Sequence, residues 1–284
     1  MDDDQAGEDR AERWARSFGP VAAAYDRGRP GYPAAAARWL VGRDAASVLE
    51  IGAGTGKLTA ELVAQGHDVL ATDPDEEMLD LLQARVPQVR TAVAAAEDLP
   101  AGDRSVDIVI AAQAFHWFDH DVALPEIARV LKPGGALALV WNLRDVRIPW
   151  VRRLGGLIGT QEQLSDPTDV LAASGLYDPP ASTTFANWQD INRDSLVDLV
   201  TSRSNISTLD EEQRTAKIAE VVAFYDDYGR GYDGMQLPYV THCFRALVID
   251  PLGGRSDEDS DVGADAPRPH NDGSDSDMLL IDFR

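Results

Sequence analysis

Glu50-Ile51-Gly52-Ala53-Gly54-Thr55-Gly56 follows a short apolar run, Ala46-Ser47-Val48-Leu49, and leads into residues 57–65, whose pattern is helical. A strand that closes in glycines and reopens as a helix lets a ligand approach the backbone, with the first helical N–H groups facing it. Three ligand classes use such a turn, and spacing separates them. A phosphate-cradling P-loop needs a glycine five residues before its Gly-Lys pair and Ser or Thr after it. Around Gly56-Lys57 those places hold Ile51 and Leu58. A dinucleotide fingerprint needs glycine or alanine where Lys57 stands. What remains is Gly-x-Gly-x-Gly, preceded two residues earlier by Glu50.

Outward from this loop, strands and helices alternate. Residues 46–51 read as a buried parallel strand. Strands follow at 68–72, 88–94, 106–111 and, after the Pro133-Gly134-Gly135 turn, 136–141. Helices fall at 57–65, with Gly66 as stop signal, at 75–85, opened by acids suited to its N-terminus, and at 122–131. Another lies ahead of the first strand, at 34–40. Beyond Trp150 the pattern loosens: helices at 167–173, 194–201 and 210–228, and strands at 182–188 and 238–248 that fit a closing antiparallel hairpin. This order predicts an α/β fold, a doubly wound, mostly parallel seven-stranded sheet with an antiparallel last strand.

Composition narrows the partners. Forty-eight acids against 26 bases leave a net charge of −22 over 284 residues. Such a chain repels polyphosphate backbones and anionic lipid, so neither nucleic acid nor membrane is expected as a partner. The longest apolar candidate, 106–118, is broken by Asp107, Gln113 and His116, too short for a span. The acidic start lacks the basic and apolar regions of a secretory leader, and a cytoplasmic location is expected. Cys243 stands alone, which excludes an internal disulfide or a multi-cysteine metal site. Of the 26 bases only Lys57, Lys132 and Lys217 are lysines, and 35 of the acids are Asp. Codon bias in a high-GC genome and a salt-rich cytoplasm both deplete lysine; the Asp excess favours the second. Residues 251–284 carry nine acids and three arginines with Gly, Ser and Pro throughout. They cannot bury enough apolar surface to offset their ordering entropy, so a disordered tail is expected there, and 1–12 read the same way. The domain is then 13–250, with a cofactor-binding core over about 34–145.

Taken together, the Glu50–Gly56 loop, Thr72-Asp73-Pro74, Ala96-Glu97-Asp98-Leu99-Pro100 and Leu131-Lys132-Pro133-Gly134-Gly135 resemble the class I S-adenosylmethionine-dependent methyltransferases. The resemblance implies S-adenosylmethionine as cofactor, with Glu50, Gly52, Ala53, Gly54 and Gly56 around its methionine portion. It puts Asp73 and Pro74 at the ribose, and Met78, Ala96 and Glu97 at the adenine. The acid that often caps the adenine amino group falls on Ala95 here. Tyr25-Asp26-Arg27-Gly28-Arg29-Pro30-Gly31-Tyr32-Pro33, Gln113-Ala114-Phe115-His116-Trp117-Phe118-Asp119 and Trp141-Asn142 resemble the small-molecule subgroup that includes trans-aconitate methyltransferases. That narrower likeness implies an N-terminal helical lid bearing Tyr25, a further cofactor contact at Gln113, and a small, anionic organic acceptor. The acceptor side would comprise Arg29, Tyr32, Trp117, Trp141 and Arg144, with His116 as the one candidate base and no metal.

Plainer readings stand beside these. His116 can be a structural histidine, Trp117 and Trp141 core aromatics, and Arg29 a stem covering apolar surface. On the loop alone, an NAD(P)-dependent oxidoreductase or a non-catalytic binding protein on the same scaffold stays open. The oligomeric state is not legible in the sequence.

Overall fold

The computed structural model describes residues 28–159, 166–201, 209–228 and 234–249. The expected segments 1–12 and 251–284, and the lid residues before Gly28, lie outside them.

Seven strands form one sheet in the order β3-β2-β1-β4-β5-β7-β6. After helix α1 (Ala34–Val41), the chain runs β1 (Ser47–Ile51), α2 (Lys57–Ala64), β2 (Asp68–Asp73), α3 (Glu76–Arg85), β3 (Arg90–Val93), β4 (Val106–Ala112), α4 (His120–Val130) and β5 (Leu131–Arg144). It continues through α5 (Pro149–Ile158), α6 (Thr168–Ser174), β6 (Ala181–Ile191), α7 (Arg193–Thr201), α8 (Glu211–Tyr228) and β7 (Met235–Leu247). β1 to β5 pair in parallel, and β7 is antiparallel to both β5 and β6. The direction of the chain therefore switches between β1 and β4, and an open α/β sheet binds ligands in the crevice at such a switch.

Period-two alternation sorts the strands' side chains into two cores. Val48, Ile108, Ile110, Ala136, Ala138 and Val140 face α1, α2 and α3, meeting Leu40, Leu62 and Leu82. Leu49, Ile51, Val109, Leu137, Leu139 and Trp141 face the other way, onto Leu124 and Ile127 of α4 and Leu171 of α6. A third cluster joins α5, α7 and α8 through Leu154, Leu199 and Phe224 to Leu237 and Tyr239 of β7.

Two local features differ from the sequence reading. The Pro133-Gly134-Gly135 turn does not precede β5 but interrupts it. Leu131 pairs with Val106 and Ala136 with Ile108, so four residues bulge opposite Asp107. Lys132 Nζ closes the bulge by donating to Asp107 Oδ1 at 2.8 Å and to Ser47 Oγ at 3.2 Å, and the ammonium and hydroxyl hold the Asp107 carboxyl down at about 2. Helix α5 is an addition. It starts on Pro149 at its first turn and buries Val151, Leu154 and Ile158, one stripe of an amphipathic helix. Among the described residues no helix is long and apolar enough to cross a membrane.

Candidate active site

A cavity of about 440 Å³ opens beside the C-terminal ends of β1, β2, β4 and β5. Its floor is the loop after β1. Gly52, Gly54 and Gly56 all adopt positive φ, at 66°, 54° and 79°. A Cβ on Gly56 would lie 2.6 Å from Leu82 Cγ, and one on Gly52 2.6 Å from Ala114 Cβ, so there the turn needs glycine for packing as well as conformation. A Cβ on Gly54 would meet nothing within 4 Å. Gly54 lines the cavity, and there a ligand can lie against bare backbone.

β2 holds the loop in place. Ala53 N–H donates to the Thr72 carbonyl at 2.9 Å, and Thr72 Oγ1 donates to the Glu50 carbonyl at 2.9 Å. Asp73, at the end of β2, accepts from Gly54 N–H on Oδ2 and from Asp75 N–H on Oδ1, both at 2.9 Å. It is 9% exposed. Burial raises its pKa, the two N–H groups work against that, and the Asp75 charge adds to it. Asp75 in turn caps α3 by accepting from Glu77 N–H.

Glu50 is 1% exposed, and its Oε2 accepts from Thr59 Oγ1 at 2.6 Å. Burial pushes its carboxyl up to about 8, the Thr59 bond opposes this, and the Asp73 charge reinforces it. Two carboxyls thus line one end of the cavity, each already oriented by a donor and each with lone pairs to spare.

Gln113, just past β4, has φ 58°, a left-handed conformation that costs a non-glycine residue on the order of 1 kcal/mol or more. Its N–H donates to the Val140 carbonyl at 2.9 Å and its Nε2 to the Asn142 carbonyl at 3.1 Å. Its Oε1 is buried with no hydrogen-bond partner among the described residues, in a residue that lines the cavity. A buried orphan acceptor, two oriented carboxyls and an open glycine backbone suit a ligand rich in hydroxyl and ammonium donors. The amino-acid and ribose portions of S-adenosylmethionine are such a ligand, and the site fits it.

Of the residues expected from the sequence, Glu50, Gly52, Ala53, Gly54, Asp73, Pro74, Met78, Ala96, Glu97 and Gln113 all line the cavity. So do Arg29, Tyr32 and Trp117. Glu97 Oε1 also accepts from Asp119 N–H at 2.8 Å, tying the segment after β3 to the start of α4. Gly56 ends the turn without reaching the cavity, and Tyr25 lies outside the described residues. Three others sit elsewhere. Trp141 is 2% exposed and packs edge-on against Phe115 and Phe244, because its place in β5 points it to the α4 face. Arg144 is buried further along β5, with Nη2 donating to the Gly159 carbonyl at 3.4 Å. His116 is on an exposed 3₁₀ turn, its ring 4.7 Å from that of Trp117, and does not line the cavity. Cys243, the lone thiol, is fully buried and pushed up to about 12 by that burial, so it supplies no nucleophile. Asn142 and Phe118, which the sequence reading quoted within its motifs but gave no role, also line the cavity.

The sheet order, the antiparallel β7 and a glycine loop facing an acid at the end of β2 are the architecture of a class I S-adenosylmethionine-dependent methyltransferase. Residues 49–139 match the methyltransferase domain family. The chain is 44% identical over 240 residues to an uncharacterized methyltransferase of Mycobacterium tuberculosis, covering 82% of this chain and 96% of that one. It belongs to the methyltransferases, and its cofactor is S-adenosylmethionine. It is also 36% identical over 140 residues to a trans-aconitate 2-methyltransferase of Azoarcus, 43% of this chain and 54% of that one. A solved structure from Anaeromyxobacter dehalogenans, described as a type II methyltransferase, superposes with a TM-score of 0.58 at 27% identity, over 76% of this chain and 97% of that one. The oxidoreductase and the non-catalytic scaffold, open on the loop alone, give way to this enzyme class.

Proposed function

We propose that the protein methylates a small organic acid, with the acceptor's carboxylate as the nucleophile. The observation that carries this reading is that the cavity takes its acids and its arginine from different segments. Glu50 and Asp73 stand near the ends of β1 and β2, and Asp75 and Glu97 follow β2 and β3. Arg29 and Tyr32 come from segment 28–33, where the Gly31 carbonyl accepts from Asn142 Nδ2.

Bound S-adenosylmethionine supplies a methyl group activated by a sulfonium, which passes to an in-line nucleophile as the sulfur leaves as a neutral thioether. The protein's task is to hold, align and keep water out. Glu50, Gly52, Gly54 and Asp73 hold the cofactor, with Met78 and Ala96 beside its adenine. The Arg29 guanidinium offers a planar fork matched to a carboxylate, with the Trp117 and Phe118 side chains also lining the cavity. A carboxylate is nucleophilic at neutral pH and gives up no proton, so no base is required. That agrees with the position of His116 outside the cavity. The relative from Azoarcus, named for trans-aconitate, points to the same acceptor class. The acidic net charge argues against a nucleic-acid acceptor.

The test is transfer of labelled methyl from S-adenosylmethionine into a panel of di- and tricarboxylic acids and a matched panel of phenols and amines. Label in an ester of one acid, hydrolysed by alkali, supports the proposal. Label only in phenols or amines overturns it.

A further inference from the structure

The segment 28–33 contributes Arg29, Pro30 and Tyr32 to the cavity wall, and it is fastened at two points. At Gly28 it lies directly on α7: a Cβ there would be 2.8 Å from Leu199 Cα and 2.9 Å from Leu199 N. At Gly31 one carbonyl oxygen accepts from two side-chain amides, Asn187 Nδ2 at 2.8 Å and Asn142 Nδ2 at 3.0 Å, which fills both its lone pairs.

The two amides are themselves locked. Asn142 Oδ1 accepts from Thr241 Oγ1 at 2.6 Å and from Asn187 Nδ2 at 3.1 Å, while Asn187 Oδ1 accepts from Trp188 N–H at 2.9 Å. The Asn142 main-chain carbonyl takes the Gln113 Nε2 donor. Strands β5, β6 and β7 and the residue after β4 thus feed one polar network, and networks of this kind fix a single arrangement when every member is satisfied. Here one acceptor has no partner among the described residues. Gln113 Oε1 is the network's open end, on a residue that lines the cavity.

We propose that Asn142, Asn187 and Thr241 are positioning residues: they clamp the main chain at Gly31 so that 28–33 forms a fixed cavity wall, and bound cofactor completes the network at Gln113 Oε1 and is retained longer for it. The inference holds whatever the acceptor. Asn187 and Thr241 do not line the cavity, so an effect of either on ligand retention must travel through the clamp.

The experiment is a chase of labelled S-adenosylhomocysteine from the full-length protein, with hydrogen–deuterium exchange followed on the same samples. Asn187→Asp keeps the oxygen that accepts from Trp188 and removes both amide donors. Dissociation is expected to speed up about three- to tenfold, the worth of one or two neutral hydrogen bonds. Exchange at the Arg29, Gly31 and Tyr32 amides should rise with it, while association and exchange in β1 and β4 stay within about twofold. A wild-type dissociation rate overturns the proposal. So does faster exchange at 28–33 without faster dissociation, and so does a loosening shared by β1 and β4. Thr241→Val, a near-isosteric change at a buried site, should show the same two changes more weakly. If Asn187→Asp does not fold, unchanged dissociation in Thr241→Val is sufficient to reject the clamp.

Discussion

β1, β2 and β4 are five, six and seven residues long, and β1 and β4 are buried on both faces; β5, β7 and β6 run to 14, 13 and 11 residues, and β6 alternates between exposed and part-buried along most of its length. The short parallel strands stop at a common edge, and what they present to a ligand is turns: the glycine loop, Asp73 held by two main-chain N–H groups, and Gln113 in its left-handed conformation. The longer strands contribute side chains instead: Asn142 of β5 lines the cavity and is bonded to Asn187 of β6 and Thr241 of β7. In the proposed reading the cofactor is thus met largely by turns, while segment 28–33 is held by side chains.

The largest effect that would sharpen this contrast is expected at Trp141, which the strand's alternation turns away from the cavity. Trp141→Ala should cost about 3–5 kcal/mol of stability by denaturant unfolding, with the folded fraction still binding S-adenosylhomocysteine within about threefold of wild type. A large loss of affinity with little loss of stability would return Trp141 to the site.

Asp73→Ala should come next, weakening S-adenosylhomocysteine about a hundredfold or more by calorimetry, roughly 3 kcal/mol, while the sheet stays folded. Unchanged affinity would break the assignment of the parallel half to the cofactor.

Glu50 gives the contrast a pH dependence. Its folded pKa of about 8 stands above the unfolded value of 4.5, so the folded state binds the extra proton across that window. The stability this represents is complete below about 4.5 and is lost as pH rises to 8. Glu50→Gln keeps the Thr59 contact and removes the charge. Its melting temperature should exceed that of wild type increasingly from pH 5 to 8 and then level off, while its affinity for S-adenosylhomocysteine falls. A difference that is constant with pH would mean that Glu50 is not buried as a neutral acid.

The smallest effects are expected at Arg29, in segment 28–33, and at His116, outside the cavity. Arg29→Ala should raise KM for the acid identified by label transfer about tenfold with kcat little changed, and His116→Asn should leave both within about twofold. A loss of two orders of magnitude in His116→Asn would indicate a proton to be removed, and hence a hydroxyl or amine acceptor.

The same division explains what was legible beforehand. Short, doubly buried strands read as continuous apolar runs, and a turn that needs glycine must spell it, so β1, its loop and Asp73 stood in plain view in residues 46–73. Trp141 and Asn142 show where linear reading failed. They are neighbours in β5, and the alternation that sends Asn142 to the cavity sends Trp141 to the α4 core. Helix α5 was hidden because Gly155-Gly156 sits inside it, a pair that intrinsic propensity counts against. The clamp was invisible for another reason. Asn142 meets partners 45, 99 and 111 residues away, and no local pattern encodes such a meeting.

Trp117 has one further consequence. Its indole is 79% exposed although it borders the cavity. An indole in water emits at long wavelength, and its spectrum shifts to the blue when something apolar or ordered covers it. Trp141, by contrast, is sealed in the core and does not line the cavity. The enzyme therefore carries an intrinsic optical gauge at the rim of its site, readable without a dye, with the Trp117→Phe variant as its blank.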